Sequence, residues 1–219
     1  MLLTPEMIDM MLDSFIETLI MVGIAGVIGG AIGIPLGILL HVTSPQGILP
    51  TKVFNRTIGV LVNAVRSTPF IILLVALQPL TRLIVGTSIG TSAALVPLTI
   101  AAAPMISRLV ESSLREVDKG LIEAALSMGA TSMQIIRKVL LPEALPGIIA
   151  GITIALVSLV GASAMAGAIG GGGLGDLAIR YGYQRFMPEI MYSVVVILIV
   201  FVQAMQSLGD WTVRKVSHR

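Results

Sequence analysis

The chain has 219 residues, 55% of them apolar and only 12% charged, with a formal net charge of +2 and no cysteine. An ordinary soluble domain is roughly 25% charged, so the bilayer is the expected solvent, and without thiols a disulfide framework and a cysteine metal or redox site are excluded. A span takes about 20 mainly apolar residues at about 1.5 Å each, so five spans fit and leave little room for a separate soluble domain. The expected fold class is all-α, a polytopic bundle of five transmembrane helices in which residues 1–219 form one domain.

Thr4-Pro5 supplies an N-cap and a first helical residue, and Ile8, Met11, Leu12, Phe15 and Leu19 follow at helical spacing. A secretory signal opens with positive charge, whereas this segment carries Glu6, Asp9, Asp13 and Glu17 and no Lys or Arg before Lys52. The N-terminus is therefore expected to stay attached and lie outside. Span one is expected over Phe15 to Leu40, span two over Ile58 to Leu77, span three over Ile89 to Ile106, span four over Gly147 to Ile169 and span five over Ile190 to Leu208. This arrangement puts Lys52, Arg56, Arg66, Arg108, Arg115, Lys119, Arg137, Lys138, Arg214, Lys215 and Arg219 inside, and leaves Arg82, Arg180 and Arg185 outside. The asymmetry follows the positive-inside rule and places the C-terminus in the cytoplasm.

Within span one, Gly26, Gly29, Gly30, Gly33 and Gly37 form two overlapping rows of small residues spaced by four, which allow another helix backbone to approach. In span two, Asn63 and Arg66 precede a break expected at Pro69. A charge at that depth faces protein or water: it borders a substrate path, snorkels to the inner surface, or pairs with a neighbouring helix. The long polar stretch at about 108–146 joins spans three and four on the positive side. There Leu121, Ala124, Ala125 and Met128 recur at helical spacing until Gly129, and Ile135, Ile136, Val139 and Leu140 make a second short amphipathic piece before Pro142. Two short helices joined at Gly129 are expected along the membrane face. In span four, Met165 is the one large side chain among Gly161, Ala162, Ser163, Ala164 and Ala166, suited either to plug a narrow pore or to fill a gap in the bundle. In span five, Gln203 and Gln206 share a face suited to bonds across a helix interface, and the sequence leaves their role open.

No Gly-x-x-x-x-Gly-Lys-Ser/Thr occurs, so the phosphate cradle of a P-loop is missing. Gly170, Gly172 and Gly175 match Gly-x-Gly-x-x-Gly, but after a membrane helix and on the outer side, where a flexible turn is expected. His41 and His218 stand far apart with no metal-ligand spacing, and the acids Glu111, Glu116, Asp118, Glu123 and Glu143 alternate with bases as in a solvated or partner-facing surface. No catalytic, cofactor or metal site emerges, and no nucleic-acid partner is expected.

The polar loop reads Glu123-Ala124-Ala125, three residues, Gly129, nine residues, Val139, one residue, Leu141-Pro142. This resembles the EAA loop of permease subunits of bacterial ABC importers, with Val139 where Ile is usual. The resemblance implies a type I ABC importer fold and a coupling helix, with Glu123, Ala124, Ala125, Met128, Gly129, Leu141 and Pro142 at the contact with a separate ATPase that carries the ATP and Mg. Beyond the loop, Arg66 to Leu74, Val85 to Gly90, Val96 to Thr99, Leu140 to Pro146 and Gly172 to Gly175 are similar to the permease of the D- and L-methionine uptake family. That implies an inner-membrane homodimer with its pore on the twofold axis, two ATPase copies and an extracytoplasmic substrate-binding protein. From the residues themselves, Met165, Arg66, Asn63 and Ser163 are the pathway candidates. Substrate identity rests on the resemblance alone. Two other readings stay open: a permease for another small polar amino acid, and an ion-coupled secondary transporter, which needs ionisable groups deep in its spans.

Overall fold

The computed structural model describes residues 4–217, so His218 and Arg219 lie outside the described residues. Among these residues every regular element is helical: α1 (Pro5–Val42), α2 (Lys52–Ser67), α3 (Phe70–Ala76), α4 (Gln78–Val85), α5 (Thr91–Arg115), α6 (Lys119–Ser127), α7 (Ser132–Ile135), α8 (Leu141–Ala166), α9 (Gly173–Leu177) and α10 (Pro188–Val216). Four helical stretches are long and apolar enough to cross a membrane by themselves, and α2 with α3 makes a fifth only as a pair bent by 103°.

Span two is therefore not one straight helix. Pro69 lacks an N–H and disfavours the helical region for the residue before it; Thr68 accordingly takes φ −82°, ψ 124° and ends α2. The crossing is completed in pieces by α3 and α4, which Gly86 closes with φ +84°. The other spans outrun their expected limits. α1 has 38 residues, about 57 Å of helix, and α5 carries on through the charged residues up to Arg115. The piece from Ser132 is not a separate surface helix. It runs on through one wide turn, Ile136–Leu140, where the Leu141 N–H donates to the Ile136 carbonyl five residues back. The extra residue in that turn lets Pro142, at the start of α8, enter without a break.

The core forms where α1, α5 and α8 meet. On α1 the row Gly29, Gly33 and Gly37 lies against Ala102, Ala103, Ile106, Ser107 and Val110 of α5, so close that added methyl carbons would stand 2.5–2.8 Å from α5 atoms. Gly26 faces Leu156 and Leu159 of α8, whereas Gly23 and Gly30 face open space. One glycine row is thus the α1–α5 contact, and the second reaches a helix only at Gly26. α10 covers the flank, with Phe15 meeting Phe201 edge-on at 5.3 Å and Gly209 against Thr153. Its outward residues, among them Val196, Ile199, Val200 and Leu208, are exposed apolar surface, as the lipid-facing side of a span requires.

The packing sorts the chain ends into two groups. Residues 43–51, 108–146 and 209–217 gather at one end, with Arg108, Arg115, Lys119, Arg137, Lys138, Arg214 and Lys215, and Lys52 and Arg56 follow at the start of α2; the start of α1, residues 77–90 and residues 167–188 gather at the other, with Arg82, Arg180 and Arg185.

Candidate functional site

At the basic end, α6 is set by its own sequence. Asp118 caps it, its carboxylate accepting from the Gly120 N–H at 2.6 Å, and Gly129 stops it in the left-handed region at φ +78°. The Ala130 N–H donates back to the Ala125 carbonyl, and Thr131 with Gln134 then builds a capping box that starts the next helix. The turn at 128–131 is therefore fixed on both sides by local chemistry.

The structure brings six of the seven expected contact residues to or near the surface. Glu123, Ala124, Met128, Gly129 and Pro142 are exposed and Leu141 is half-buried. Ala125 points the other way: it is 5% exposed and packs in the core, so its small size serves the approach of α6 to its own bundle. Leu121, Leu126 and Met128, the last at 82% exposure, are exposed apolar side chains at and just beyond α6, as is Met133 on α7. Leu126 and Met133 were legible as apolar residues of the loop, but nothing in their spacing says they point outward.

Near the end of α5 lies an ionic knot. Glu111 is expected on a solvated or partner-facing surface; instead its side chain is 7% exposed, held by Arg108 at 2.5 Å and Arg115 at 2.7 Å. Arg108 also donates to the Gly59 carbonyl of α2 at 3.2 Å. The last turns of α5 are thereby tied to α2 just before the chain enters α6. Next to them a cavity of about 310 Å³ opens between His41, Gln46, Glu111, Arg115 and Glu123.

The four pathway candidates do not share one surface. Asn63 and Arg66 are exposed near the end of α2; no ion pair to Arg66 occurs among the described residues. Met165 is 51% exposed, whereas Ser163 is 2% exposed and donates to the Val160 carbonyl of its own helix at 2.8 Å. Gln203 donates within its own helix to Ser207, and with Gln206 it lies on an exposed face, so neither bridges to another helix of this protomer.

At the opposite end the glycine run is not a flexible turn. Gly171, Gly173, Leu174, Gly175 and Leu177 are buried. Gly170, Gly172 and Gly173 have φ +91°, +77° and +74°, which folds the chain back against the end of α8. Three hydrogen bonds hold it, one at the start of α5 and two to α1: the Gly90 N–H donates to the Gly170 carbonyl at 2.8 Å, the Gly173 N–H to Glu17 at 2.6 Å and the Leu174 N–H to Thr18 at 2.9 Å.

Among the described residues no group of three or more His, Asp or Glu is placed to hold a metal ion. The arrangement is a membrane bundle with a rigid, exposed helix at its basic end and a packed hairpin at the other. A family model described as binding-protein-dependent transport system inner membrane component matches residues 33–218. A probable D-methionine transport system permease protein, MetI, of Vibrio cholerae is 60% identical over 182 residues, 83% of this chain and 81% of that one. The methionine import system permease protein MetP of Bacillus subtilis is 47% identical over 172 residues, 78% of each chain. Among solved structures, the MetNI methionine ABC transporter in inward-facing conformations superposes with a TM-score of 0.96 at 50% identity, over 99% of this chain and 100% of that one. With a match over most of its length and relatives this similar, the chain belongs to the family of binding-protein-dependent transport system inner membrane components.

Proposed function

We propose that this chain is the membrane-spanning permease subunit of an ATP-driven importer that carries methionine, D- and L-, into the cytoplasm. The observation that carries the reading is the exposure of Leu121, Leu126 and the adjoining Met128 on α6, a short capped helix between two spans. Such a helix fits a groove on a separate ATPase, and Glu123 pairs there with a basic residue of the partner. The ATPase subunits supply ATP and Mg; this chain hydrolyses nothing and holds no cofactor. The methionine label draws on the relatives, which are named for methionine transport. The basic end is the cytoplasmic one, with the N-terminus outside and the C-terminus inside.

In the assembled importer two copies of the chain pair about a twofold axis, two ATPases dock on α6, and a substrate-binding protein delivers methionine at the outer end. Closure of the ATPases draws the two α6 helices together, and the knot at Glu111 passes the movement to α2 and α5; the population shifts toward an outward-open state and returns after hydrolysis. Met165 acts as a pore plug near the outer end, its flexible thioether moving aside at modest cost. Arg66 and Asn63 border the pathway on α2, and Ser163 supports Met165 from the packed side of α8.

Radiolabelled methionine uptake in a strain lacking other methionine routes tests the proposal. Uptake that depends on this chain supports it. Uptake of equal rate with and without the chain would overturn the substrate assignment.

A further inference from the structure

An acidic side chain in an apolar span is costly and needs a partner. Glu17 lies in α1 between Ile16 and Thr18, half-buried, and forms no ion pair among the described residues. Its contact is with backbone: the carboxylate accepts from the Gly173 N–H at 2.6 Å, the distance of a charge-assisted hydrogen bond. One residue on, the Thr18 hydroxyl donates to the Ser14 carbonyl at 3.0 Å and accepts from the Leu174 N–H at 2.9 Å. Consecutive residues of α1 thus bind consecutive amides of the outer hairpin.

The fit leaves no room for side chains. A methyl carbon on Gly172 would stand 2.7 Å from the Glu17 carboxylate and 2.9 Å from the Thr91 hydroxyl, and one on Gly173 2.7 Å from the Thr18 hydroxyl. On its far side the hairpin is equally close to α8: a methyl carbon on Gly171 would stand 2.7 Å from the Ala166 carbonyl, and Gly175 abuts the backbone of Ala164. Met165 lies between those two α8 residues. The hairpin is therefore a wedge gripped by α1 on one side and by the Met165 turn on the other. The overall match is to an inward-facing importer, a state in which the outer end is shut.

We propose that Glu17 and Thr18 form a latch that seats this hairpin, and that Glu17 is a positioning residue for closure of the outer end: by holding Gly173 it fixes the turn that carries Met165. The proposal rests on the importer reading, and it names which contact sets the outer seal. The ligand of Glu17 is the chain's own backbone, so what matters is an acceptor oxygen at that place, with the charge adding strength.

The chain has no cysteine, so a single introduced thiol reports without background. Leu177 is buried in the hairpin, and Leu177→Cys replaces it with a smaller group that fits. The assay is labelling of this thiol by a membrane-impermeant maleimide added outside, on the complete importer with its ATPase in proteoliposomes. Combined with Glu17→Ala, labelling is expected to be about tenfold faster, of the order lost with one charge-assisted hydrogen bond, with a parallel rise in ATP-independent methionine leak. Glu17→Gln, which keeps an acceptor oxygen, is expected to restore labelling to within about threefold of the parent. Unchanged labelling in an assembled Glu17→Ala complex, or Gln labelling as fast as Ala, would overturn the latch. If Glu17→Ala does not assemble, Thr18→Val decides: faster labelling supports the latch, and labelling at the parent rate overturns it. The labelling is independent of what is transported; the unaltered complex failing to take up methionine with ATP would sink the importer reading and leave the latch result standing.

Discussion

Replacing Gly37 by alanine puts a methyl carbon 2.5 Å from the Ser107 carbonyl oxygen and 2.7 Å from Val110 Cβ, roughly an ångström inside ordinary contact. The obstacle is backbone and a β-branched carbon, neither of which rotates away, so α1 and α5 must separate across the contact that holds the bundle together. Overpacking of this kind costs about 1–3 kcal/mol, against which the helix-propensity gain from Gly to Ala returns up to about 1 kcal/mol. Gly23→Ala, in the same helix, meets nothing within 4 Å and should be neutral or stabilising. Denaturation of the purified complex in detergent, followed by circular dichroism, should separate the two variants by on the order of 2 kcal/mol. Equal stability of Gly37→Ala and Gly23→Ala would refute the claim that the glycine row at 29, 33 and 37 is the α1–α5 contact.

Three further outcomes follow from the site. Met128→Asp should leave folding unchanged, because the side chain is 82% exposed, yet should abolish co-purification with the ATPase and lower uptake at least tenfold; intact co-purification would remove α6 from the coupling role. Glu111→Ala leaves two arginines without their shared acceptor and should cost about 3 kcal/mol in thermal unfolding, whereas Arg115→Ala, at a 71% exposed side chain, should cost under about 1 kcal/mol; the reverse order would contradict the knot. Met165→Ala should let methionine leak without ATP while hydrolysis continues, and tight coupling in that variant would leave Met165 a gap filler.

Much of the fold was legible because the bilayer imposes a simple rule: apolar length gives the spans. The Glu123-to-Pro142 pattern also located α6, since capping and left-handed glycine geometry are local. What failed to show was contact across the fold. Glu111 looks solvated or partner-facing in sequence because Arg108 and Arg115 flank it, and only the fold shows it 7% exposed and held by both. Glu17 marks orientation by its sign, whereas its hydrogen bond from the Gly173 N–H joins residues 156 apart and shows only in the fold. The run Gly170 to Gly175 suggested freedom because glycine permits it; positive φ angles are used there to bring backbone against backbone. Ala125 and Ala124 are chemically alike, and helix rotation alone sends one into the core and the other to the surface. Pro69 announced a break but not its angle, which depends on how α3 settles on α5 and α8.

As proposed, this chain moves substrate only when a separate ATPase acts on it. Purified chain, ATPase subunits and binding protein in proteoliposomes, with ATP supplied on the ATPase side, should accumulate radiolabelled methionine, while the chain alone should neither hydrolyse ATP nor accumulate methionine under an imposed proton or sodium gradient. Gradient-driven accumulation by the chain alone, or no dependence on ATP in the full complex, would contradict the account.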